Sequence, residues 1–288
     1  MSRARDANKT TVELTVVGED RKGVVAAFTN FIFEHRGNIE ATNQSVVGGF
    51  FGMHLEASFD EKPDMAEFGR VLASLGKRLG MEVGVHFHEP GKKMNLAILV
   101  TKEPHCLTGL LDAVRAGKLK VKVPVIIGSE TALAHVAESR GIPFYVADQK
   151  DQEKRERRMY QVLQRHEVDI VALAKYMRIL TPGLVWRYPN KIINIHPSLL
   201  PAFPGALAYQ QAFEKGARII GCTAHFVTEG LDTGPIICQE AIKVEPGETF
   251  QSIKQRGHRL EAVALTKALQ LFTESKVEVR WGKAYFTA

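Results

Sequence analysis

Asn194 and His196 stand two positions apart at the end of the apolar run "KIINIH". In an extended segment that spacing puts both side chains on one face. An amide offers N–H donors, and an imidazole can hold or release a proton near neutral pH. A carboxylate, Asp232, follows in the glycine-flanked loop "TEGLDTGP", with room for one helix and one strand in between. A donor, a titratable ring and a carboxylate together suit attack by water or an amine on a carbonyl carbon. The donors would hold the oxyanion, and the carboxylate would orient the ring or take a proton. No nucleophile stands among them. Ser198 has no base beside it in sequence, and Cys222 lies inside an apolar run. Each residue also has a plainer reading: a His–Asn pair can serve backbone groups at a strand end, and Asp beside Gly is common turn chemistry.

These residues need rigid elements beneath them. Pro197, Pro201 and Pro204 stiffen the stretch after His196. From residue 94 onward, continuous apolar runs such as "MNLAILV", "VKVPVII", "VDIVALA" and "NKIINI" alternate with helical patterns. Such runs mark strands buried on both faces, and the alternation predicts a doubly wound, mostly parallel sheet. Pro124 is awkward for a central strand. "RIIGCTAHFV" and "GPIICQEAIKV" are close enough to finish the sheet antiparallel. A long helix over about 249–273 and a short terminal hairpin complete the reading. Ligands of parallel sheets collect at the carboxyl ends of strands, where Asn194 and His196 fall.

The first ninety residues have a different grammar. Val12, Leu14 and Val16 alternate; Phe28, Phe31 and Ile32 follow at helical spacing; Phe51, Met53, Leu55, Ala57 and Phe59 alternate again. The order is βαββαβ, an antiparallel sheet with helices on one face. Gly37 is expected to cap the first helix. "EPGKK" at 89–93 reads as a linker, which divides the chain into residues 1–89 and 90–288.

Composition narrows the class. Apolar residues make up 45% of the 288, enough for an ordinary core. The net charge of +6 is dispersed, and the densest basic run, "KDQEKRERR" at 150–158, reads as a solvated helix face rather than a nucleic-acid surface. Cys106, Cys222 and Cys238 form no metal or redox spacing, as suits reduced thiols in the cytoplasm. The amino-terminal decapeptide has no apolar core of a secretory signal, and no stretch reaches the roughly 18 apolar residues of a membrane span. His86 and His88 alternate on a strand with no third ligand, so no metal site is expected.

The stretches "INIHPSLLPAFPGALAYQQAF", "IIGCTAHFVTEGLDTGPIICQEAI" and "LAKYMRIL" resemble the formyltetrahydrofolate-dependent formyltransferase family. The leading "VVGEDRKGVVAAFTNFIFEHRGNIEATNQSVVGGFFGMHLEA" resembles an ACT domain, a ferredoxin-like module that senses amino acids. An ACT-like domain ahead of a formyltransferase-like domain, with "LVTKEPHCL", is similar to the deformylase branch of that family. The resemblance implies that Asn194, His196 and Asp232 are catalytic. It implies that Met177, Arg178, Ile179 and Leu180 line a folate cleft, with Val227, Thr228, Glu229, Gly230 and Leu231 as its other wall. The implied reaction is hydrolysis of 10-formyltetrahydrofolate to tetrahydrofolate and formate, in one-carbon metabolism and formate supply for purine synthesis. Folate is then the substrate, and no cofactor is implied.

The ACT-like unit implies a homo-oligomer, with Asp20, Arg21, Lys22 and Gly23 at a helix start that can receive an amino-acid carboxylate. A dimerisation module without ligand fits equally. Two further readings stay open: a formyltransferase to an amine, and an amino-acid sensor with a decayed enzyme half. The transferases' glycine-rich phosphate loop has no counterpart in "VTKEPHCLTGLL", where Pro104 removes a donor. No extra nucleic-acid domain is expected, and water is the default acceptor. Ala208-Tyr209-Gln210 stands where the deformylase branch carries Pro-Tyr-His, which keeps the amine alternative in view.

Overall fold

The computed structural model describes residues 9–87, 92–205 and 207–287. Two compact units emerge: residues up to Lys92 together with Pro182–Pro189, and Lys93–Thr181 together with Asn190 onward. The expected linker lies largely among residues outside the described set, as does His88. The excursion at 182–189 into the first unit left no mark in the sequence patterns.

In the first unit the order is β1 (Thr10–Glu19), α1 (Val24–Glu34), β2 (Asn38–Val47), β3 (Phe50–Phe59), α2 (Met65–Leu79) and β4 (Met81–Phe87). The strands form an antiparallel sheet in the order β2-β3-β1-β4. Val12, Leu14 and Val16 point to the same side as Phe51, Met53 and Leu55, where Phe28, Ile32, Phe68 and Leu72 of the helices close the core. Gly37 does not supply the left-handed residue after α1. Arg36 does, with φ 60. Gly37 is needed for space instead, since a Cβ there would fall 2.6 Å from the Phe59 ring. The short helix α6 (Pro182–Val185) leads to Trp186, which stacks on Phe50 with centroids 6.0 Å apart and planes within 11°. Gly52 lets that ring lie against the strand: a Cβ would stand 2.3 Å from it.

The second unit runs β5 (Asn95–Val100), α3 (His105–Arg115), β6 (Lys122–Gly128), α4 (Ala134–Glu138), β7 (Phe144–Val146), α5 (Gln152–Arg165), β8 (Ile170–Ala174), β9 (Ile192–His196), α7 (Ala208–Glu214), β10 (Ile219–Phe226), β11 (Ile236–Lys243) and α8 (Phe250–Thr273). A hairpin of β12 (Val277–Arg280) and β13 (Lys283–Phe286) follows. The seven-stranded sheet has the order β11-β10-β9-β8-β5-β6-β7. Strands β5 to β9 pair in parallel, and β10 and β11 pair antiparallel. Chain direction across the sheet reverses between β5 and β8, the switch point where open sheets leave a crevice. Pro124 is accommodated because the β5–β6 register shifts between Asn95 and Ala97, while β7 pairs with β6 only from Ile126 onward.

The charged helix α5 departs from expectation. Its run at 150–158 is not all solvated: Arg155 and Glu156 are buried. Arg155 Nη1 donates to Gln149 O at 2.9 Å, and the Glu156 carboxylate accepts from the Thr181 backbone N–H at 2.9 Å and from the Thr181 hydroxyl. Hydrogen bonding is what makes such burial tolerable. Among the described residues no helix is long and apolar enough to cross a membrane.

Candidate active site

The site grows from the β9–β10 pair. Ile192, Ile193 and Ile195 sink β9 into the core, which leaves Asn194 and His196 at its carboxyl end. Antiparallel register sets His225 of β10 directly opposite Asn194, and Thr223 opposite His196. The chain then leaves β10 through 227–231 and returns as Asp232, whose φ of 54 is one that Asp tolerates better than most residues. The Asp232 carboxylate, only 7% exposed, reaches the His196 ring: Oδ2 lies 3.2 Å from Nδ1. The three sequence-selected residues are thus brought together in one mostly buried cluster.

Hydrogen bonds define the roles further. Asp232 Oδ2 also accepts from Gly205 N at 3.0 Å, which ties the proline-rich loop to the site. His196 Nε2 donates to Phe203 O at 3.0 Å. Both neighbours of the His196 ring, Asp232 Oδ2 and Phe203 O, are acceptors. Thr223, fully buried, pins the same loop by donating to Ser198 O at 2.7 Å and accepting from Leu200 N at 3.0 Å. Ser198 donates to the carbonyls of Ala202 and Phe203, so its hydroxyl serves the loop.

His225 is a fourth member that sequence reasoning missed. Its Nδ1 lies 2.8 Å from Phe226 O, a pure acceptor, so Nδ1 carries the hydrogen and Nε2 accepts. Asn194 Nδ2 donates to that Nε2 at 3.2 Å. The bond fixes which end of the amide faces which way and leaves the second N–H of Asn194 available. Burial lowers the His225 pKa; the bond to Phe226 O and the Asp232 charge offset only part of this. Asp232 Oδ1 stands 3.8 Å from His225 Nε2, beyond hydrogen-bond reach. The only signal in the sequence was a third polar position within "CTAHFV".

The expected folate walls flank these residues. β8 runs beside β9 with Leu173 opposite Asn194, so the 177–180 segment leaves the sheet next to the site. Met177 and Ile179 are well exposed, Arg178 is partly exposed and Leu180 is buried. Val227, Thr228, Glu229, Gly230 and Leu231 form the approach to Asp232, with Val227 N held by Ile192 O at 2.8 Å. In the other unit, Asp20, Arg21, Lys22 and Gly23 are exposed before α1, and Gly23 has φ 86. Gln210 is exposed and its amide donates to Glu214 Oε1 at 2.8 Å, one helical turn on.

Among the described residues, two groups of side chains come close enough to share an ion although the sequence offered no ligand spacing. Glu103, His105 and His258 form one, and His105, Cys106 and Glu261 the other. The His105 and His258 rings lie parallel, 4.0 Å apart at 7°, so their in-plane lone pairs do not converge on a point. His105 Nε2 is already 2.9 Å from Glu261 Oε2. Burial pushes the Cys106 thiol well up, and Glu261 nearby adds to it.

The family described as formyl transferase matches residues 94–269, and the ACT domain family matches residues 10–86. A formyltetrahydrofolate deformylase of Escherichia coli O6:H1 is 38% identical over 272 residues, 92% of this chain and 94% of that one. The crystal structure of a formyltetrahydrofolate deformylase from Pseudomonas syringae pv. tomato superposes with a TM-score of 0.67 at 31% identity, covering 97% of this chain and 95% of the other. Glycinamide ribonucleotide transformylase 1 from Symbiobacterium toebii superposes with a TM-score of 0.66 at 33% identity, covering 70% of this chain and 97% of its own. The likeness to deformylases therefore spans both units, whereas the likeness to that transformylase is shorter.

Proposed function

The chain belongs to the formyl transferase family, with an ACT domain ahead of it, and from that premise we propose that it hydrolyses 10-formyltetrahydrofolate to tetrahydrofolate and formate. The observation that carries the reading is the 3.2 Å approach of Asp232 to His196, beside Asn194, at the carboxyl end of the sheet. Attack of water on the formyl carbon turns a neutral carbonyl into an oxyanion. The free N–H of Asn194 and the Nε2–H of His196 are the donors for it, the latter exchanging the Phe203 carbonyl for the substrate oxygen. One such donor is worth about 2.7–4 kcal/mol in the transition state. Asp232 Oδ1, the carboxylate oxygen not engaged by His196 or Gly205, takes the proton of the attacking water. A general base of this kind contributes about 10²–10⁴-fold. The departing folate nitrogen must gain a proton, and His196 supplies it.

The segments at 177–180 and 227–231 hold the folate. Water as acceptor is supported by the likeness to deformylases along both units. Gln210 is exposed and bonded to Glu214 on its own helix. The physiological setting is formate supply for purine synthesis in the cytoplasm. The first unit pairs with a second copy of the chain, and the exposed turn at 20–23 receives an amino-acid effector. The test is formate release from 10-formyltetrahydrofolate with no amine present. Release supports the hydrolase; release that begins only when an amine is added would replace it with a transferase.

A further inference from the structure

The segment that carries the folate reading, residues 177–180, is bracketed by two buried carboxylates that belong to other elements. At its start stands Lys175, the residue after β8, with φ 62, a conformation that side chains other than Gly seldom adopt. Its ammonium lies 3.2 Å from Oε2 of Glu261, which is 0% exposed on α8. The same Oε2 accepts from His105 Nε2 at 2.9 Å. Burial pushes the Glu261 pKa up, but His105 and Lys175 outweigh it and hold the carboxyl below its usual range, so it is charged. Glu261 Oε1 and His105 Nδ1 are buried with no hydrogen-bond partner. At the segment's end, Glu156 accepts the Thr181 N–H at 2.9 Å and the Thr181 hydroxyl. Between the brackets Met177 N donates to Thr101 Oγ1 at 3.1 Å, and Ile179 O accepts from Gln152 at 3.0 Å.

Buried ion pairs gain little stability over well-packed apolar residues, so a fully buried glutamate needs another reason. Here the reason is geometric. The segment leaves the sheet at the switch point with most of its polar contacts made to neighbouring elements. Its shape therefore depends on what holds its two ends. We infer that Glu261, acting through Lys175, and Glu156, acting through Thr181, are positioning residues that set the backbone of 177–180 and so the affinity for folate. The inference rests on the proposed folate reading. Neither carboxylate joins the Asn194–His196–His225–Asp232 cluster, so the effect falls on binding rather than on the chemical step.

The test measures tetrahydrofolate binding by calorimetry and formate release in the full chain. Glu261→Gln and Glu156→Ala each weaken binding and raise KM by about tenfold, the factor that 1.4 kcal/mol of lost binding gives, with kcat retained. Glu156→Gln still offers a carbonyl oxygen to Thr181 N and restores binding. Glu261→Gln strands a buried ammonium and can impair folding. The double variant Lys175→Gly/Glu261→Gln removes that charge and supplies a residue at ease with positive φ. It binds folate more tightly than Glu261→Gln alone. Folded variants with wild-type KM and binding, or a loss confined to kcat, would overturn the inference while leaving the function intact. If the wild-type chain itself binds no tetrahydrofolate, the functional reading fails and this inference fails with it.

Discussion

Removing the His225 ring gives the most informative single perturbation, because its role follows from geometry rather than from any motif. Its Nε2 accepts one N–H of Asn194 at 3.2 Å, and Phe226 O locks the tautomer that makes this possible. In His225→Leu the Asn194 amide loses that partner inside a mostly buried pocket. An unpaired buried donor costs about 1–3 kcal/mol. If the amide also turns its oxygen toward the substrate, the oxyanion loses a donor worth about 2.7–4 kcal/mol. At 1.36 kcal/mol per tenfold in rate, kcat is expected to fall by between about tenfold and 10³-fold. KM is expected to hold, because the partners of the ring are Asn194, Phe226 and Asp232 rather than the folate segments. His225→Gln offers an amide oxygen in place of Nε2 and should recover part of the loss. Steady-state formate release with both variants measures this. A His225→Leu enzyme with wild-type kcat would refute the assignment of His225 as the group that orients Asn194.

Further expectations follow from particular contacts. Gly52→Ala puts a Cβ 2.3 Å from the Trp186 ring, and overpacking of this kind costs about 1–3 kcal/mol. Urea melts should show a lower midpoint for this variant, and an unchanged midpoint would mean that the indole moves aside freely. Burial lowers the pKa of both His225 and His258. The unfolded chain therefore takes up protons first as pH falls. Stability from these two rings is fully present above their unfolded value of about 6.5 and is lost below it. The urea midpoint should drop between pH 7.5 and 5.5, and His225→Gln should flatten that slope; an equal slope in the variant would contradict the assignment. Gly37→Ala drives a Cβ to 2.6 Å from the Phe59 ring, and should destabilise the first unit although its backbone φ is ordinary; thermal melting decides.

Much of this architecture was legible because period and burial agree. Alternation at Val12–Val16 and Phe51–Phe59 marks strands with one buried face, and those residues do line the helix side of the sheet. The continuous runs at 94–100 and 168–174 mark strands covered on both sides, and they sit side by side at the middle of the larger sheet. Asn194, His196 and Asp232 stood out because polar residues interrupt apolar stretches near glycine and proline. What stayed hidden depends on pairings that no local window contains. His225 acquires its partner only through antiparallel register with β9. Glu261 reaches His105 across 156 positions of sequence. The charged run on α5 shows no sign that Arg155 and Glu156 turn inward, because the Gln149 carbonyl and the Thr181 groups that satisfy them lie on separate loops. Arg36, rather than Gly37, takes the left-handed turn, and the ring of Phe59 explains why the glycine is there at all.

Asp232→Asn, compared with the wild type in single-turnover formate release and in tetrahydrofolate binding, bears most directly on the chemistry. The substitution keeps the shape and removes the charge beside His196 and the base for water. Formate release should fall by about 10²–10⁴-fold while tetrahydrofolate binds as before. Release at the wild-type rate would contradict the account, because no carboxylate would then be needed at the formyl carbon.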